Sequence, residues 1–264
     1  MKKYNLKKQK SFLVCFLFLC LGLLVGCQGR QTDAAAIVCE SEKMEGRPLT
    51  DAYALPEETV GIHDFDWDSE IQKIAEFQVY DDTLSVYTVS SVAPQLLLRW
   101  NGMERLFPMQ LATPQGLGIT PSFLDVDDDG NGELVLIQQV GSGTGISVHQ
   151  LHIFENENGL LTDHILLFQA VREQLLALLE IDKTARAISL NGMTIPVPES
   201  FQPEPDMGVQ IQYMCGNGLK ASYGVAVESR EQPGYTVTAA VLHSDITFND
   251  GRFILSNFHL TAVA

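Results

Sequence analysis

Apolar and polar positions alternate in short runs along most of this chain, and tight-turn residues separate the runs. Residues 74–80 and 83–90 flank Asp81-Asp82, and 95–100 and 103–109 flank Asn101-Gly102. Residues 151–155 and 160–168 flank Glu157-Asn158-Gly159, and 188–190 and 193–197 flank Asn191-Gly192. Residues 209–214 and 219–227 flank Asn217-Gly218, and 245–248 and 253–258 flank Asn249-Asp250-Gly251. A period of two marks strands with one buried face, and Asn-Gly or Asp-Gly supplies the positive φ angles that tight hairpins need. One stretch departs from this pattern. Phe168, Val171, Leu175 and Leu179 recur at helical spacing, which predicts an amphipathic helix near 168–182 with its leucines over a sheet face. The fold class is therefore mainly β, with antiparallel hairpins and sheets and one amphipathic helix; α+β is the alternative. No repeat with a period of roughly 20–50 residues is visible, so a propeller or solenoid is not indicated.

The N-terminus follows a different rule. Residues 1–10 carry five lysines and no acid, and residues 11–25 (SFLVCFLFLCLGLLV) form an unbroken apolar run. A basic start before an apolar run of this length reads as a secretory signal peptide, too short for an ordinary spanning helix. The run ends Leu24-Val25-Gly26-Cys27, which resembles the lipobox of bacterial lipoproteins. That resemblance implies cleavage after residue 26, acylation of Cys27 with palmitate-like chains, and a protein held on the cell membrane facing outside the cytoplasm. Two acyl chains bury enough methylenes for stable anchoring. Residues 28–58 show no sustained period and few large apolar side chains, and read as a tether. The expected organisation is a signal peptide over 1–26, the lipidated cysteine and tether over 27–58, and a β-rich domain over 59–264. Whether that domain is one body or two halves meeting near 182 stays open.

Composition sharpens the picture. The chain has 264 residues, 17 basic and 33 acidic, for a net charge of −16. Loss of the five leader lysines leaves 12 basic residues against the same 33 acids, a net charge of −21. That balance excludes nucleic acid as a partner, which calls for a basic footprint. It opposes docking on anionic head groups and favours association with cations. With 45 % hydrophobic residues the chain can bury a sizeable core without disulfides. Of five cysteines, Cys15 and Cys20 fall in the leader and Cys27 carries the lipid, leaving Cys39 and Cys215 either paired or as free thiols. There is no CxxC, HExxH, GxSxG or SxxK.

The chemistry concentrates in residues 123–137, FLDVDDDGNGELVLI. Asp125, Asp127 and Asp129 alternate, Gly130 follows, and Glu133 comes three residues later. Calcium takes six to eight hard oxygen ligands, and alternating aspartates before a glycine turn can aim carboxylates at one point. Asn131 can offer its backbone carbonyl, and Glu133 can bind directly or through water, while Asp128 is expected to point outwards. The first six positions satisfy the EF-hand pattern, but the twelfth is Leu136 and both flanks are β-like. This strand–loop–strand form instead resembles the DxDxDGxxE/D loops of FG-GAP/VCBS-type repeats. The following stretch, Glu133–Phe154, adds to the resemblance by placing a Gly/Thr-rich turn after the acidic loop. The resemblance implies surface β structure that binds calcium through Asp125, Asp127, Asp129, Asn131 and Glu133. The competing reading is an acidic turn closed by its own side chains, with no metal.

Other motifs carry less. Asp64, Asp66, Asp68 and Glu70 alternate without a glycine and read as a solvated strand edge, with Trp67 as core or as a sugar-stacking surface. Gly141-Ser142-Gly143-Thr144-Gly145 lacks the ending of a phosphate loop and reads as a flexible or bulged connection, so no nucleotide is expected. His149 and His152 are three apart on a predicted strand and face opposite sides. The functional expectation is a membrane-anchored, calcium-stabilised binding or sensing module without catalytic activity, for an envelope protein or a glycan. The alternative is an extracellular glycan-active hydrolase with structural calcium.

Overall fold

The computed structural model describes residues 36–49, 53–60, 66, 69–79, 81–89, 95–100, 102–108, 118–157 and 160–263. The leader, Cys27 and its lipobox lie outside these residues, as do Asp64, Trp67 and Asp68 of the second acidic alternation. No helix among the described residues is long and apolar enough to cross a membrane.

Residues 36–264 form one compact unit. Its strands are β1 (Ile37–Glu40), β2 (Glu42–Glu45), β3 (Arg47–Pro48), β4 (Ile71–Val79), β5 (Asp82–Val89), β6 (Gln95–Trp100), β7 (Met103–Pro108), β8 (Ile119–Leu124), β9 (Glu133–Gly143) and β10 (Ile146–Glu157). They continue with β11 (Leu160–Leu166), the helix α1 (Phe168–Ala177), then β12 (Glu180–Asp182), β13 (Ala187–Leu190), β14 (Met193–Pro196), β15 (Phe201–Asp206), β16 (Gln210–Gly216), β17 (Gly218–Ser229), β18 (Thr236–Asn249) and β19 (Arg252–Ala262). Among the described residues the fold is mainly β with one helix, as the alternation requires, and all six predicted hairpins are present.

Three sheets assemble. An eleven-stranded sheet runs β1-β19-β18-β17-β16-β10-β11-β2, with β15 on β17 and β8-β9 on β10. A five-stranded meander runs β3-β7-β6-β5-β4, and β12-β13-β14 form a small third sheet. Among these strands pairing is antiparallel except between β10 and β16, which run parallel for two residue pairs, Ser147–Gln210 and Val148–Ile211, and outside them Thr59 makes a single parallel bridge to Lys73. Strand β9 lies between two cores. Val135 and Ile137 face the main core with α1, β17, β18 and β19, whereas Leu134 and Leu136 face the meander beside Leu84, Val86, Leu96 and Leu98. Burial on both faces explains why ELVLI is continuously apolar rather than alternating.

Two expectations change. The stretch read as a tether contributes three strands: β1 pairs β19, β2 pairs β11 and β3 pairs β7. Ile37 and Cys39 alternate inwards, 4 % and 7 % exposed, so the folded unit begins at Ala36 rather than near residue 59. The physical reason is brevity, because runs of two to four residues carry no period long enough to read. The helix is shorter than its pattern. It ends at Ala177, and Leu179 is buried in the connection before β12 pairs with β13.

Candidate metal centre

Strand β8 delivers the chain to the acidic loop and β9 takes it away. Between them the backbone winds around its own carboxylates. The Gly130 N–H donates to Asp125 Oδ2 at 3.0 Å and the Asp129 N–H donates to Asp127 Oδ1 at 3.0 Å. The Asn131 N–H and its Nδ2 donate to the two oxygens of Asp129 at 2.6 and 2.8 Å. Asp128 sits at φ 62° and Gly130 at φ 89°, left-handed positions that reverse the chain. Val126, 5 % exposed, points into the main core, and its carbonyl accepts the Phe248 N–H at 3.1 Å. Its own N–H donates to Glu133 Oε2 at 3.0 Å and closes the loop across its neck.

This winding brings Asp125, Asp127 and Glu133 together. One carboxylate oxygen from each lies within 4.8 Å of the others. Two oxygens on opposite sides of a calcium ion, each at roughly 2.4 Å, stand roughly 4.8 Å apart, so the donor set fits such an ion. Asp129 and Asn131 share the loop and bond to each other, and the Asp129 carboxylate is not one of the converging trio. Asp128 is exposed, as expected.

The electrostatics match the crowding. Burial, and then the charges of Asp127, Asp129 and Asp125, lift the Glu133 carboxyl to about 7, against the opposing Val126 hydrogen bond. Asp127 is also raised, by burial first and by the charges of Asp129, Asp125 and Glu155. Asp129 is lowered by the N–H and side chain of Asn131. Carboxylates raised by burial and mutual repulsion are those a cation would relieve.

A cleft of about 310 Å3 opens beside the loop, lined by Trp100, Phe154, Glu155 and Asn156 together with Asp127 and Glu133. Spacing along the chain could not reveal Glu155 or Trp100, because they reach the loop through the pairing of β9 with β10 and through packing against the meander. No protein-family model, curated protein or solved structure matches the chain.

The remaining candidates separate. His152 and His149 diverge, as their spacing requires. His152 is buried with Nδ1 2.9 Å from Asp163 Oδ2, while His149 lines a cavity elsewhere. His164 is wholly buried; its Nδ1 shares a hydrogen bond with Ser41 Oγ at 2.8 Å, and its Nε2 lies 2.9 Å from Glu155 Oε2. Cys39 and Cys215 are free thiols. Thr144-Gly145 is a two-residue turn between β9 and β10, and a bulge follows at Val148/His149.

Proposed function

We propose that this chain is a lipid-anchored extracytoplasmic lipoprotein whose domain is a binding or sensing module stabilised by calcium in the 125–133 loop. The convergence of Asp125, Asp127 and Glu133 within 4.8 Å carries the metal part of this reading. In that reading these three carboxylates hold the ion with the Asn131 backbone carbonyl, and the Asp129 carboxylate completes the expected set by exchanging its hydrogen bonds to Asn131 for the ion. The ion neutralises crowded charge that otherwise opposes folding of the loop. The Leu24-Val25-Gly26-Cys27 sequence supports the anchor, and the acidic balance supports a cation-rich exterior. The cleft beside the loop, with Trp100 and Asn156 on its wall, supports an envelope protein or glycan as the partner.

Thermal unfolding of the purified protein in EDTA and in millimolar calcium tests the metal. An ion present at 100 times its Kd adds ~2.7 kcal/mol. For a domain of this size that is a rise of about 5–10 °C. The rise should vanish in Asp127→Ala, and an equal rise in that variant would place the ion elsewhere.

A further inference from the structure

Glu155 lies far from the acidic loop in sequence, on β10, yet it lines the same cleft as Asp127 and Glu133. Its carboxylate is held from the side away from the loop. Oε2 lies 2.9 Å from Nε2 of His164, whose side chain is wholly buried. The other ring nitrogen of His164 shares a hydrogen bond with Ser41 Oγ at 2.8 Å. Ser41 sits in the connection between β1 and β2, and its N–H donates to the Gly251 carbonyl at 3.0 Å. A separate contact ties the same imidazole to the loop. The Phe248 ring meets it edge to face at 4.9 Å, and the Phe248 N–H donates to the Val126 carbonyl at 3.1 Å. His164 is therefore fixed by groups from several strands, and Glu155 carries that fixed geometry to the cleft.

Glu155 is not one of the three carboxylates whose oxygens lie within 4.8 Å of one another. It is close enough for its charge to help raise Asp127. Its side chain is 25 % exposed, so water reaches it. Calcium takes six to eight oxygens and accepts some carboxylates through water. Groups that orient a metal's ligands from outside cost about 10–100-fold in affinity when removed.

We propose that Glu155, positioned by His164 and Ser41, is a further residue of the calcium site and holds the ion through a bound water from β10. The inference rests on the calcium reading of the 125–133 loop. It joins that loop to the connection between β1 and β2.

Titration calorimetry of calcium into the full-length protein tests this. Glu155→Gln removes the charge and keeps an oxygen for His164. Its Kd should rise about tenfold or more, while its melt in EDTA stays cooperative. The loss should persist in 0.5 M KCl, where the screening length is about 4 Å. Ser41→Ala leaves every acid in place. It should raise the Kd about threefold through a less firmly held imidazole, and add nothing once Glu155 is Gln. A wild-type protein that takes up no calcium would overturn the loop reading, and this inference with it. Calcium uptake by the wild type with an unchanged Kd in Glu155→Gln would overturn the inference alone. So would a loss that disappears in 0.5 M KCl, which would make Glu155 a remote charge. Additive losses in the double variant would overturn the positioning by Ser41.

Discussion

Gly132 shows how closely the acidic loop is fitted to the sheet beneath it. A Cβ at this position would stand 2.3 Å from the Phe123 ring, which stacks on Phe77 with centroids 6.2 Å apart. Gly132→Ala must therefore displace an aromatic ring that packs against the second core. We expect a loss of about 1–3 kcal/mol, read as a lower urea midpoint. His243 gives the pH prediction at the same scale. Its Nδ1 is 2.9 Å from Ser222 Oγ, its Nε2 is 2.9 Å from Thr261 Oγ1, and its ring stacks on His259 at 4.8 Å. Burial first, and then His259, hold its pKa below the usual 6.5. The unfolded chain then binds the proton more readily, so this contribution to stability is present above pH 6.5 and is lost as pH falls through the lowered folded value. His243→Gln keeps an amide for both hydroxyls. It should lose less stability than the wild type between pH 7.5 and 5.5 in urea unfolding.

At the scale of elements, hairpins and helix obey local rules. Asn191 at φ 50° and Gly192 at φ 83° make the tight turn that their residue types announce. Helix α1 buries Val171 and Leu175 completely and presents polar residues outwards. Leu175→Ala should cost about 2–5 kcal/mol by urea unfolding, because its side chain is enclosed in the main core. Truncating the exposed Glu173 on the same helix should change little. Strand β15 was not legible. Its sequence FQPEPD carries Pro203 and Pro205, which argue against a strand, yet it pairs with β17 at the edge of the sheet. Proline is tolerated there because an edge strand leaves one side without ladder bonds. The burial of β9 on both faces was likewise invisible as alternation, since both sides of the strand are apolar.

For the whole molecule, the decisive feature is that residues 36–49 belong to the fold. Strand β1 places Ile37 and Cys39 in the main core, β2 covers the edge of β11, and β3 completes the meander. A chain beginning at Thr59 should therefore lose cooperative thermal unfolding and expose sheet edges that aggregate. A chain beginning at Ala36 should unfold in one cooperative transition. Circular dichroism melts and gel filtration of the two would check this; a stable monomer starting at Thr59 would contradict it. Burial of Ile37 alone is worth about 1.5–3 kcal/mol, and the loss of three strands adds to that.

The sequence by itself determined the hairpins, their turns, the helix start and the order of ligand-type residues in the 125–133 loop. Each of these depends on neighbours a few residues apart, where backbone preference and periodicity act directly. The tertiary structure decided which acids converge, choosing Asp125, Asp127 and Glu133 while Asp129 turned to Asn131. It also brought Glu155 and Trp100 to that loop, joined β1 to β19, and set His164 between Glu155 and Ser41. Those arrangements rest on strand register and on packing between residues distant in the chain, which no local period encodes.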